Sequence, residues 1–452
     1  VLIAWAILPA SAHADPGRRS AGVEPAQGIE QALAAARAGD HSLARAWLEP
    51  VLIAPRLDRA TRARAYHLRG LLFYLDGLHR SAGQDYRRAL EFLPTLASAR
   101  SALAWLHLRG RGVPHDPGRA RALYRLAARQ GHAESRFNLA LLLMRDTPRR
   151  PHEALAWFEA AAAADHAEAA ALAGQLLARG HAGIEPDPDR ARVLLRRAAD
   201  QGHAGAHLEL GMLLEERDPV AARDWYRSAA ERGIAAAQSR LGHLLHQGAR
   251  GIEPDRTRAL MWIREAAKQG DARAQSWLGW AYDAGVGVRA DPRAALRWYT
   301  RAARRDDATA QVNLARLHES GRGTPRSMEQ ARYWYEQAAQ QGELNALTGL
   351  AWLLATTRHT AMRDGERALS LAREAVGRDP GPRSLETLAA ALAESGQYEA
   401  AVRAQQRALG ALDAAPEADP EATASVRSQS ARVRASRSRL ASYRAGRPWR
   451  AE

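Results

Sequence analysis

Three histidines, His132, His166 and His203, sit at matching points along the chain, 34 and 37 residues apart. Imidazole is a common metal ligand, but ligands must converge within ~2 Å of one ion. Single histidines about one repeat apart are read instead as turn residues. The order His-Glu-x-x-His, paired ligand spacings and Gly-x-Ser-x-Gly are all missing from the sequence. With no cysteine, disulfides, thiolate zinc sites, iron–sulfur clusters and cysteine nucleophiles are excluded. Gly110-Arg-Gly112 and Gly321-Arg-Gly323 are too short to cradle a phosphate and read as connector turns. Glu215-Glu216 and Asp306-Asp307 fall at helix ends or in loops, where solvated charge accounts for them. A general acid–base pair would need burial to shift a pKa. The expectation is a protein without catalytic residues, cofactor or metal.

Charge is the next candidate for chemistry. The chain has 452 residues with 65 basic and 50 acidic side chains, a formal net charge of +15. Such an excess suggests nucleic acid or an anionic membrane as partner. Lys268 is the single lysine, so arginine supplies the rest, a skew that reads as GC-rich coding bias. The basic residues concentrate only near the end: Val426 to Arg450 holds eight arginines and no acid. Asp419-Pro420-Glu421 is a good helix start, Val426, Val433 and Leu440 recur every seven residues, and Gly446 stands where a C-cap belongs. A polar-faced capping helix accounts for this segment. Contact of the tail with an anionic surface or polysaccharide is the alternative, and export argues against nucleic acid.

That export is read from the first residues. Val1 to Leu8 is apolar, too short for the ~20 residues of a membrane-spanning helix but the length of a signal-peptide core. Ala12-His13-Ala14 supplies a small-x-small cleavage site, while the charged front of a leader is missing. Residues 1–14 are read as a truncated signal peptide cleaved after Ala14, giving a bacterial periplasmic or secreted product with no transmembrane anchor.

Nearly everything else is organised by one recurring phrase, Ala-Ala-x-x-Gly. It ends at Gly131, Gly202, Gly233, Gly270 and Gly342, with Asp165 and Asp306 in the glycine slot of two further copies. Successive spacings are 34, 37, 31, 37, 36 and 36 residues. Each unit reads as two helices. The first carries Ala-x-x-x-Leu-Gly-x-x-Tyr, as in Ala274, Leu278, Gly279 and Tyr282, with the apolar residues on one helical face. A Gly-rich turn follows, and Asp291-Pro292 then opens a second helix as N-cap and first helical residue. That helix carries Trp225-Tyr226, Trp298-Tyr299 or Trp334-Tyr335 in successive copies. One such pair cannot bury its own faces, so neighbours must stack into a continuous core.

At these residues the chain resembles the Sel1-like repeat family, a branch of the tetratricopeptide-like α-solenoids, over roughly residues 99–345. Tyr66, Gly70, Phe73, Ala82, Tyr86, Ala89 and Pro94 are similar to an ordinary tetratricopeptide unit, and Ala351–Ala400 with the tail Leu440–Arg450 resembles a recurrent bacterial tetratricopeptide ending. The resemblance implies an all-α, right-handed solenoid of about ten antiparallel helix pairs. Its parts are a leader (1–14), a linker (15–26), tetratricopeptide-like repeats (27–98), the Sel1-like array (99–345), C-terminal tetratricopeptide repeats (346–412) and an Arg-rich capping helix and tail (413–452).

The resemblance also implies that the first helix of every unit lines the concave face. The residues flanking the packing Leu-Gly/Ala pair then point into the groove: Asn138, Arg240, His243, Trp277, Trp280, Asn313, Arg316 and Trp352. Asn suits a peptide main chain, while Trp and Arg are frequent anchors. The expected function is a non-catalytic scaffold or adaptor in the bacterial envelope that binds a protein or peptide partner. Alternatives are a scaffold for exopolysaccharide export or secretion assembly, and polyanion binding through the C-terminus.

Overall fold

The computed structural model describes residues 25–145, 150–181, 183–413 and 423–451, with side chains in the last stretch from residue 431 onward. The expected leader, most of the linker, the Asp419-Pro420-Glu421 helix start and the Val426 side chain lie outside the described residues. What is described falls into two compact units that meet at Leu213–Leu214.

The first unit contains five helix hairpins. They are α1 (Pro25–Arg37) with α2 (His41–Ile53), α3 (Arg59–Leu75) with α4 (His79–Phe92), α5 (Ala97–Arg109) with α6 (Pro117–Arg129), α7 (Ala133–Arg145) with α8 (Pro151–Ala162), and α9 (Ala167–Arg179) with α10 (Pro188–Asp200). Helix α11 (Ala204–Leu214) ends at the boundary. The second unit opens with α12 (Pro219–Glu231) and continues with five more hairpins. These are α13 (Ala235–Gln247) with α14 (Arg256–Lys268), α15 (Ala272–Ala284) with α16 (Pro292–Ala303), α17 (Ala308–Ser320) with α18 (Met328–Gln340), α19 (Leu344–Thr356) with α20 (Gly365–Arg378), and α21 (Pro382–Glu394) with α22 (Tyr398–Asp413). A last helix, α23 (Thr423–Arg444), packs on α22. Within each unit every hairpin stacks on the next, which is the architecture of a helix-pair solenoid. Among the described residues the only β-pairing is two isolated bridges, His181–Ile184 and Ala249–Ile252, in the two long loops.

Local chemistry sets the helix ends. Asp116, Asp187, Asp218 and Asp291 each accept a hydrogen bond from a backbone N–H in the first turn, with proline as the next residue. Helices α6, α8, α10, α12, α14, α16 and α18 close in a Schellman turn. In the first of them Gly131 N–H donates to Ala128 O at 3.0 Å, and His132 N–H to Ala127 O at 3.3 Å. This turn needs a positive φ at the repeat glycine, and it explains the two exceptions, since Asp165 and Asp306 both adopt φ 60°. Asp tolerates that region better than most residues but at a cost. Asp306→Gly is therefore expected to stabilise the second unit by about 0.5–1 kcal/mol, read as a higher unfolding midpoint; an unchanged or lower midpoint contradicts this. Asp306 is the cleaner site because Asp165 is paired with Arg197 at 2.8 Å.

Packing within a hairpin depends on the helix-A glycine. A Cβ added to Gly279 would lie 2.6 Å from Cδ1 of Tyr299, a ring that is fully buried. Gly242 and Gly174 make the same close approach to Ile263 and Leu195. The Ala-rich faces let helices approach closely, and the large aromatic of helix B fills the space that remains. Each hairpin so built presents the outer positions of helix A on one face.

Candidate functional site

The turn histidines have a structural role. His166 Nδ1 accepts from Ala169 N–H at 3.2 Å, His203 Nδ1 from Ala206 N–H at 3.1 Å, and His132 Nδ1 from Ser135 N–H at 3.2 Å. Each imidazole thus caps the helix that follows it, which requires Nδ1 to be unprotonated. Among the described residues no group of three or more His, Asp or Glu could hold a metal, and no helix is long and apolar enough to cross a membrane.

The same unit contains a titratable group placed against protonation. Burial, with a smaller contribution from His132, pushes His67 down to about 4, against 6.5 for an ordinary histidine. The neutral form is favoured in the folded state, so this stabilisation is complete above pH ~6.5 and is lost as pH falls through about 4. Its ceiling is about 3 kcal/mol. His67→Gln is expected to flatten the pH dependence of first-unit stability between pH 6.5 and 4. An unaltered slope would show that other groups carry it.

Seven of the eight residues expected to line the groove belong to the second unit. Asn138 is in the first, where its Nδ2 donates to Glu134 O and Oε1, both at 2.9 Å within its own helix. In the second unit the strongest association is between Trp277 and Trp280 on α15, whose ring centroids lie 5.5 Å apart at 61°. Trp277 is half-buried against the α14–α15 core, whereas Trp280 is 37 % exposed. His246 of α13 lies edge-on to both, with centroids 5.0 and 5.5 Å away. The result is a three-ring cluster open on one side.

To either side of this cluster lie polar groups. Arg240 Nη1 donates to Glu215 Oε2 at 2.9 Å, and the Tyr226 hydroxyl donates to the same oxygen at 2.6 Å. His243 is exposed. On α17, Arg316 Nη1 lies 3.4 Å from Asn313 Oδ1. Trp352 on α19 is half-buried and carries the Arg439 guanidinium 5.4 Å over its ring. Arg439 in turn donates to Glu386 Oε1 at 2.5 Å, so α23 reaches over this end of the surface.

Glu215, expected to be a solvated charge at a helix end, instead accepts hydrogen bonds from Tyr226 and Arg240, while Glu319 and His246 were not singled out by sequence reasoning. The residue five places after the packing Leu is Glu215, Asp283 or Glu319 in three units and His246 in a fourth. Tyr226 and Tyr335 of the following B helices donate their hydroxyls to Glu215 and Glu319, the latter at 2.9 Å. Beside His246 the tyrosine slot holds Ile263, which has no hydroxyl to satisfy. The imidazole is thereby released to the tryptophans. Arg383 and Asn345, 3.5 Å apart, were also missed because the motif does not mark their slots.

The fold and this surface define a helix-pair repeat protein of the kind that mediates protein–protein interaction. The Sel1 repeat model matches eight segments, 63–93, 97–132, 133–166, 167–203, 205–234, 235–271, 272–307 and 308–343, which is more than half of the sequence. The chain belongs to the Sel1 repeat family. Among solved structures, a Sel1 repeat protein from Oxalobacter formigenes is 24 % identical, with 75 % of this chain and 96 % of that chain covered and a TM-score of 0.53. That likeness is one of fold. A protective antigen of uropathogenic Escherichia coli strains, displaying an SLR fold, is also 24 % identical over 86 % of this chain and 92 % of that one, with a TM-score of 0.46. No curated protein matches the chain.

Proposed function

We propose that the protein is an exported scaffold that holds a partner polypeptide along the outer faces of α13, α15, α17 and α19. The observation that carries this reading is the cluster of His246, Trp277 and Trp280, in which Trp280 is exposed and the other two rings are partly covered. Its neighbours Asn313 and Arg316 supply main-chain and carboxylate recognition. Export rests on the leader read over residues 1–14. A photo-reactive residue at position 243 is expected to cross-link a partner in envelope extract, one at the outward Val193 is not, and Trp277→Ala/Trp280→Ala abolishes the adduct while the circular dichroism stays unchanged. Equal adducts from both positions, or adducts that survive the double substitution, refute the groove.

A second reading is supported by α23 and the tail after it, where Arg432, Arg434, Arg437, Arg444 and Arg447 are exposed. These residues favour an anionic polymer or surface as an additional contact. Retention on heparin that falls steeply with salt and disappears in Arg432→Gln/Arg434→Gln/Arg437→Gln is expected under this reading; salt-insensitive behaviour counts against it. A scaffold for exopolysaccharide export or secretion would use both surfaces.

A further inference from the structure

The carboxylates around this surface are already engaged. Glu215 receives Tyr226 and Arg240, Glu319 receives Tyr335, and Glu386 receives Arg439. The guanidinium groups of Arg316 and Arg383 are different: their side-chain hydrogen-bond partners are the neutral Asn313 at 3.4 Å and Asn345 at 3.5 Å. Neither has a carboxylate in ion-pair range among the described residues. Both contacts are at the long limit of a hydrogen bond, so a better acceptor displaces them at little cost. Desolvation, and then the charge of Arg316, hold the Arg383 pKa below its ordinary value, against the opposite pull of Tyr335 and Glu319. A half-buried cation, Arg316, and an exposed one, Arg383, that repel each other are a poor arrangement for a free surface and a good one for an anion that bridges them.

The chemistry of that anion follows from what adjoins it. One hairpin back lies the His246–Trp277–Trp280 cluster, which selects a flat or large apolar group. Beside each arginine is an asparagine whose amide is suited to a peptide main chain. A free phosphate or a sugar polymer uses the cations and leaves the aromatics idle; a neutral peptide does the reverse. We propose that the occupant of this face is an extended acidic peptide segment, its carboxylates on Arg316 and Arg383 and one aromatic or large apolar side chain against Trp277 and Trp280. This inference rests on the reading of the helix-A face as a binding surface and adds the class of ligand.

The test uses the full chain and an array of fluorescein-labelled ten-residue peptides that vary independently in Glu, Gln, Lys and Phe content, with heparin as competitor. Peptides that combine several Glu with one Phe are expected to bind tightest. Gln in place of Glu, or Ala in place of Phe, should weaken binding about tenfold or more. Arg316→Gln/Arg383→Gln should remove the preference for Glu and keep that for Phe, with an unchanged melting curve. Preferential binding of neutral or basic peptides that is lost in Trp277→Ala/Trp280→Ala overturns the acidic ligand and leaves the groove standing. Failure of every peptide class to bind overturns both. Heparin binding as tight as the best peptide and indifferent to Arg316→Gln/Arg383→Gln overturns the proposal in favour of the basic face of α23.

Discussion

Asp85→Ala destabilises the α3–α4 hairpin by about 3–5 kcal/mol, measured as the local opening free energy from native-state hydrogen exchange. In the repeat alignment Arg69-Gly70 occupies the slot of Leu278-Gly279, and Asp85-Tyr86 that of Trp298-Tyr299. A charged pair thus stands where other units place an apolar contact. Arg69 and Asp85 are 9 % and 2 % exposed. The guanidinium meets the carboxylate fork to fork, Nε to Oδ2 at 2.7 Å and Nη2 to Oδ1 at 2.9 Å, and its Nη1 reaches Glu49 at 2.8 Å. Asp85 also raises the Arg69 pKa above its ordinary value. Deleting Asp85 leaves a buried cation whose remaining partner, Glu49, is largely solvated. Because desolvation opposes the pair itself, Arg69→Leu/Asp85→Leu is expected to recover wild-type stability within ~1 kcal/mol, or to exceed it. A double variant as unstable as the single would show that the ion pair is intrinsically stabilising here. The effect is local, since each hairpin contacts only its neighbours.

The Arg69–Asp85 pair also marks the limit of what the sequence reveals. Periodicity identified the helices, the caps and the glycine slot, because those depend on a few residues and fixed offsets. Asp291-Pro292 opens α16 as expected, and the Asp residues standing in for glycine at positions 165 and 306 do adopt the glycine's backbone angle. Trp277 and Trp280, both expected to line the groove, lie with their ring centroids 5.5 Å apart. Contacts that depend on substitution of a motif residue were not visible: Arg69 in a leucine slot, or His246 in an acidic slot freed by Ile263. The cover over Trp352 was less legible still. Its Arg439 lies far along the chain, and no repeat period relates the two.

That cover leads to the second large effect, expected from Tyr443→Ala. The side chains of Ser436, Leu440 and Tyr443 are buried along one stripe of α23, and Tyr443 joins the apolar core formed by α19, α20, α21 and α22. Ser436 takes the hydrogen bond of the fully buried Gln405 at 2.5 Å. Past the helix, Gly446 at φ 64° turns the chain in a further Schellman motif, with Arg447 N–H donating to Ser442 O at 3.1 Å. The tail then docks. Trp449 packs on the core, Arg450 Nη1 donates to Glu394 Oε2 at 2.5 Å and to Ala355 O at 3.1 Å, and Ala451 N–H donates to Thr356 O at 3.0 Å. Tyr443→Ala removes the aromatic that joins α23 to this core and is expected to cost about 3–5 kcal/mol. Faster exchange should appear in α21, α22 and α23 and not in α13–α16. Complete removal of residues 423–452 would strand Gln405, expose the α19–α22 face and leave the last hairpin without a polar cover. The expected result is self-association, detected by light scattering, and an exposed Trp352 reported by quenchable fluorescence. A truncated chain that stays monomeric with unchanged exchange in α21 and α22 would show that α23 rests on the solenoid without supporting it.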